Sequence, residues 1–177
     1  MDTELLSEYG IDGKDFELKQ SYFENVSFIH GIKHTERVMT HCLLIGKLIE
    51  RRYEAFLAFC AAYVHDMGRS GDGYNTVHGR ISAEKKLPFF TPLFRKYGVS
   101  DKELKYIESA VIQHCVKEWS ENGDDDYHVM AILKDADALD RVRINDLNPD
   151  MLRYEESKTL IDKAWEMFRA DNKDSCG

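Results

Sequence analysis

A histidine and an aspartate stand side by side at His65-Asp66, directly after the apolar run of residues 55–64 and just ahead of Gly68. An imidazole and a carboxylate at the end of a buried helix are costly to desolvate unless a partner satisfies them. A divalent cation is one such partner, because neutral imidazole and carboxylate oxygen both ligate Zn, Mn, Fe and related metals. A helix end that faces water is the plain alternative. The other ligand-type residues weigh against it. His34 opens an apolar stripe through Val38, Cys42, Ile45 and Ile49, and His114 closes one through Ile107 and Val111. His78 follows a glycine-rich loop, and Asp135, Asp137 and Asp140 interleave with Val129, Ile132, Leu133, Ala136 and Leu139. A lone histidine is ordinarily just a hydrogen-bonded residue. Several stripes ending in one residue class point to a shared metal site.

The elements that must position these groups read as helices. Residues 33–52 repeat apolar positions at spacings of three and four, the mark of an amphipathic helix. Residues 54–66 are apolar almost all round, which places that helix at the centre of a bundle. Ala58, Ala61 and Ala62 leave room beside His65 for a neighbouring helix or a metal with its ligands. Residues 1–10 suggest a short helix or arm, and the aromatics of residues 15–29 predict one helix packed on the body. Residues 70–76 read as a loop. A short helix from His78 is expected to end at Pro88, with another piece running through Tyr97 to Gly98. Ser100 with Glu103 forms a capping box that starts a helix reaching His114. Residues 117–126 make a polar loop, and His128 opens the helix that carries the three aspartates. Asn148-Pro149 is expected to cap a long helix over residues 150–170.

Length and composition fit this picture. The chain has 177 residues, 43% hydrophobic and 32% charged, enough for a single folded domain. Few β-branched runs and only 3 prolines favour an all-α fold. A net charge of -8 argues against general binding to a nucleic-acid backbone. No stretch reaches the roughly 18–20 apolar residues of a membrane span, and residues 1–4 lack the basic and apolar regions of a signal peptide. Cys42, Cys60, Cys115 and Cys176 are scattered without a CxxC, and the first three read as small reduced core residues of a cytoplasmic protein.

The order His34, His65-Asp66, Asp137 resembles the signature of the HD superfamily of metal-dependent phosphohydrolases. The local contexts are similar too: His34-Thr-Glu-Arg-Val, Val64-His65-Asp66-Met-Gly-Arg, and Leu133-Lys-Asp-Ala-Asp137-Ala-Leu-Asp. This resemblance implies a compact all-α bundle of the HD type, one domain over residues 1–177 with its core at about 30–143. It implies a divalent cation (Mn, Fe, Mg, Co, Ni or Zn) held by His34, His65, Asp66 and Asp137. It further implies a metal-bound water attacking a small phosphorylated metabolite or nucleotide. Stripe geometry by itself favours Asp140 over Asp137, whereas the motif favours Asp137; Asp140 would then pair with Arg141 or Arg143. Some members hold two metals bridged by the HD aspartate, and His78 and His114 occupy the right order for the second; otherwise they handle substrate phosphate or protons. One functional metal is the expectation. His30, His41 and His128 are read as non-ligands. Asp66, Arg69 and His114 are the expected catalytic groups, with Arg37 and Lys134 as further cations for the phosphate. Two other functions stay open: a dinuclear-iron oxygenase, and a metal-holding regulatory domain without turnover.

Overall fold

The computed structural model describes residues 2–173, and Cys176 lies outside them. The chain is all-α. Helix α1 (Thr3–Glu8) is capped by the Asp2 carboxylate, which accepts from the backbone N–H of Glu4 and Leu5. Helix α2 (Ile32–Leu48) and helix α3 (Arg52–Val64) form an antiparallel pair, turned by Glu50 at a left-handed φ of 58°. Every residue of α3 from Ala55 to Val64 is buried. Its all-round apolar surface is met by α2, by helix α6 (Asp101–Gln113) and by helix α7 (Tyr127–Leu139). The predicted capping box starts α6: the Ser100 hydroxyl accepts from the Glu103 N–H, and the Glu103 carboxylate accepts from the Ser100 N–H. No described helix is long and apolar enough to cross a membrane.

Three expectations need correction. Residues 15–29 form no helix apart from a single 3-10 turn at Gln20–Tyr22. Phe16, Leu18 and Phe23 are buried anchors, while Val26 and Phe28 are exposed, so the aromatics do not share a face. Pro88 does not end the segment after His78. Helix α4 (His78–Ile81) runs through a wide π turn (Ser82–Lys86) into helix α5 (Leu87–Lys96), with Pro88 in its first turn. The Leu87 N–H reaches back five residues to the Ser82 oxygen, and this wide turn leads into Pro88, which has no N–H to place.

The long C-terminal helix is also broken. Asn148 caps only a 3-10 turn (Pro149–Met151), followed by helix α8 (Glu155–Lys158) and helix α9 (Ile161–Lys173). The buried Asp135 carboxylate explains the break: it accepts from the backbone N–H of Arg153 at 2.8 Å and of Tyr154 at 3.0 Å. Those bonds start α8 there and occupy Asp135 away from any metal.

His41 is buried within α2, and neither ring nitrogen has a hydrogen-bond partner among the described residues. Burial pulls its pKa down from 6.5 to about 4. The folded pKa therefore lies below the unfolded one, and the unfolded chain takes up the proton first as pH falls. Stability from this group is complete above pH 6.5 and is lost between there and pH 4, amounting to about 3 kcal/mol. Urea unfolding should show His41→Leu gaining on the parent chain across that interval. A constant difference between the two would refute this reading.

Candidate metal centre

Four imidazoles converge on Asp66, and each is aimed by a hydrogen bond at its far nitrogen. His65 follows α3 directly, and its Nδ1 lies 2.6 Å from the Ala62 carbonyl oxygen. His114 follows α6, with Nδ1 2.6 Å from the Val111 oxygen. His78 opens α4, with Nδ1 2.8 Å from the Asn75 oxygen. In all three the acceptor lies three residues earlier. A carbonyl only accepts, so Nδ1 carries the proton and Nε2 keeps a lone pair. His34, on the first turns of α2, does the same through the Asp140 carboxylate, with Nδ1 2.7 Å from Oδ2. Such outer partners fix the tautomer of a metal-binding histidine.

The four Nε2 atoms face inward onto one another and onto carboxylates, with Arg69 Nη1 at 3.3 Å from that of His78. His34 Nε2 is 3.2 Å from His65 Nε2, and His78 Nε2 is 2.9 Å from His114 Nε2. Asp66 stands between the two pairs. Its Oδ2 lies 3.4 Å from His34 Nε2 and 3.7 Å from His65 Nε2, while its Oδ1 lies 3.1 Å from His78 Nε2 and 3.5 Å from His114 Nε2. Asp137 Oδ1 closes the first side at 3.4 Å from His34 Nε2. Lone pairs packed this closely repel one another unless positive charge sits among them. This donor set therefore fits a divalent cation. His34, His65 and Asp137 form one group with ligand atoms close enough to share an ion, and His65, Asp66 and His114 form another. His30, His41 and His128 belong to no such group among the described residues.

The electrostatics agree. Burial pushes the Asp66 carboxyl up, but His65, His114, His34 and His78 more than offset this and hold it well below its usual range. Asp137 is lowered in the same way, with His34 and His65 outweighing burial. Burial pulls His65 down to about 3, so its lone pair stays free. Burial also acts against charge on His78, yet Asp66 and Cys115 lift it to about 9. Without a metal the cluster attracts protons instead; both occupants supply the positive charge that the carboxylates require.

Close backbone contacts assemble the centre. A Cβ on Gly68 would lie 2.6 Å from the Ser82 nitrogen, so the turn after His65-Asp66 can seat against the π turn only with glycine there. A Cβ on Gly79 would lie 2.5 Å from the Val111 oxygen. That bare position lets α4 approach α6 closely enough to bring His78 to His114.

Asp137 and Asp140 both touch His34, from opposite sides. Asp137 is at the rim, with 29% of its side chain exposed, and reaches the inward nitrogen. Asp140 is fully buried and holds the outward one. Its main cationic partner is Arg37, whose Nε and Nη2 donate to Oδ1 at 2.5 Å and Oδ2 at 2.9 Å; Arg143 lies at 3.5 Å, and Arg141 pairs with Asp146 instead. Arg37 is thus committed behind His34 and does not face a substrate, which corrects the role expected of it. Lys134 is likewise occupied, donating to the Gln113 and Val116 carbonyls at 3.0 and 2.8 Å and pairing with Glu118. Arg69 does reach the site. Its Nη1 lies 3.2 Å from His78 Nδ1, Nη2 donates to the Gly73 oxygen, and its buried Nε has no partner among the described residues.

Above the centre lies an open cavity of about 590 Å³, with Asp66, His78, His114 and Asp137 in its wall. Arg69, Lys117, Lys134, Arg141, Arg143 and Arg153 line it, against Asp66, Glu118 and Asp137 as the carboxylates. In a chain of net charge -8, this basic lining is local. Arg143 and Arg153 were not anticipated; they lie beyond the motifs and come to the cavity only through the fold. Cys115 also lines the cavity and is half-buried, so it is not the core residue expected.

A family model described as HD domain matches residues 31–142, well over half of the chain. The chain belongs to the HD domain family. The match spans His34, His65, Asp66, His78, His114 and Asp137, and stops before α8 and α9. Membership makes this HD domain a relative of metal-dependent hydrolases, and its His/Asp groups are of the kind that hold a divalent metal. No curated protein and no solved structure matches the chain.

Proposed function

We propose that this HD domain is a metal-dependent phosphohydrolase acting on a small phosphorylated metabolite or nucleotide. One observation carries the reading: imidazoles and carboxylates converge, ligand atom to ligand atom, on the wall of a cavity lined by basic side chains. A volume of about 590 Å³ falls in the range of small-molecule sites. The division of Asp66 between two imidazole pairs favours two cations sharing its carboxylate, rather than the single one the sequence suggested. A bound divalent cation supplies Lewis acidity toward a phosphoryl oxygen and makes water acidic enough to attack near neutral pH. The chain's residues do the rest. Asp66 and Asp137 accept hydrogen bonds from the attacking water and orient it. Arg69, whose Nη1 stands beside His78 in the cavity wall, would offset charge gathered in the transition state. His114, whose Nδ1 proton is tied to the Val111 oxygen, would serve as a ligand beside His78 rather than as a proton donor.

A phosphate-release screen over phosphomonoesters and nucleotides, with and without added Mn, Co, Ni or Zn, tests this. Release should require metal, and Arg69→Gln should lower kcat/KM by roughly 10²–10³-fold at unchanged metal content. A shared carboxylate would also suit an iron pair. Oxygen uptake by the iron-loaded chain, with no phosphate released from any class, would replace the present reading with the oxygenase. Bound metal with neither activity would replace it with a regulatory domain.

A further inference from the structure

We propose that Cys115 supplies its sulfur as a protein ligand, beside His78 and His114, to a cation on the Asp66 Oδ1 side of the centre. The inference rests on the metal reading above and goes beyond it in naming a ligand and the class of metal it selects. The ligand atoms of His78, His114 and Cys115 all lie within 4.8 Å of one another. Both histidines are buried, and their Nδ1 protons are already committed to backbone carbonyls, so their inward nitrogens await an electrophile.

The sulfur is brought there by the same feature that joins the two helical segments. A Cβ on Gly79 would stand 3.0 Å from Cys115 Sγ, so the bare glycine seats the sulfur against the first turn of α4, beside His78. Its thiol makes hydrogen-bond contacts with carbonyl oxygens alone, Thr76 at 3.5 Å and Ile112 at 3.9 Å, and a thiol is a weak donor. On binding, the S–H bond gives its proton to solvent and a sulfur–metal bond forms, with no change of oxidation state.

The consequence is asymmetry. The His34, His65 and Asp137 side offers nitrogen and oxygen only, whereas the His78, His114 and Cys115 side adds a soft thiolate. Thiolate with imidazole favours Zn, Co or Fe over Mg or Ca. The two halves should therefore differ in the metal they keep.

Cobalt loading of the full chain reads this without recourse to activity. The wild-type chain should show a sulfur-to-cobalt charge-transfer band, and Cys115→Ser and Cys115→Ala should lose it with unchanged far-UV helicity. One cobalt per chain should then bind about 10–100-fold more weakly. Cobalt bound without that band would overturn the inference and leave the metal reading standing. A band that survives both substitutions would also overturn it, because another cysteine would be its source. A chain that binds no cobalt would refute the metal reading itself. A second measurement uses the unaltered chain: zinc, but not magnesium, should slow alkylation of Cys115 as followed by peptide mapping. Equal rates with and without zinc would contradict the proposal.

Discussion

Asp66→Ala should strip the centre of metal while leaving the helices standing. The carboxylate faces four imidazole nitrogens at 3.1–3.7 Å, two from each oxygen, so its loss removes the one ligand that both halves share. Metal content should fall from about two per chain to near zero, measured by elemental analysis after loading and desalting. Phosphate release should fall by more than about 10³-fold, beyond the roughly 10²–10³-fold cost of removing a single transition-state donor. His114→Ala offers the contrast: it touches one half alone, and one cation should remain with His34, His65 and Asp137. Far-UV circular dichroism should change little in either variant, because the core of α2, α3, α6 and α7 does not depend on these groups. Full metal occupancy in Asp66→Ala would sink the assignment.

The helices that carry the ligands were legible in the sequence because burial imposes its period on the apolar residues. The stripe in α2, the all-apolar α3 and the capping box of α6 each reflect a force acting within a few residues. His65-Asp66 was conspicuous because it interrupts an apolar run where polar groups are costly. What the sequence left hidden was set by contacts between distant residues. Arg37 lies one turn from His34 in α2, which made it resemble a substrate cation, but Asp140 claims it across 103 residues of chain. Asp135 ends the expected C-terminal helix from 18 residues away. The carbonyls that orient His65, His78 and His114 are backbone atoms and leave no side-chain signal. Stripe geometry and motif seemed to disagree over Asp137 and Asp140, yet each identified a residue that holds His34, one at each nitrogen.

That division of labour yields the second large effect. Asp140→Ala should destabilise the fold, whereas Asp137→Ala should chiefly weaken metal binding. Asp140 is buried with Arg37, and removing it leaves a guanidinium only 7% exposed without its main partner. Breaking a buried pair in this way costs about 3–5 kcal/mol, which for a domain of this size lowers Tm by roughly 6–20 °C. Asp171 still pairs with Arg37 and limits the loss. Asp137 is partly exposed and has no such partner to strand, so its removal should change Tm little while releasing metal from the His34 and His65 side. The pH dependence follows from the same pair. Burial raises the Asp140 carboxyl, but His34 and Arg37 overcome it and hold the group far below its ordinary value of 3.8. Its folded pKa is thus depressed, and its contribution is complete at neutral pH and lost only as pH falls below 3.8. Thermal unfolding of both variants at neutral pH and near pH 3 checks this. Equal Tm values for Asp137→Ala and Asp140→Ala would show that Asp140 is not the structural member of the pair.

Anomalous scattering from crystals of the chain grown with manganese will locate the cations. Two peaks should flank the Asp66 carboxylate, one among His34, His65 and Asp137 and the other beside His78 and His114. A map from fully soaked crystals with no peak at Asp66, or with a single peak bound by one of its oxygens alone, would contradict it.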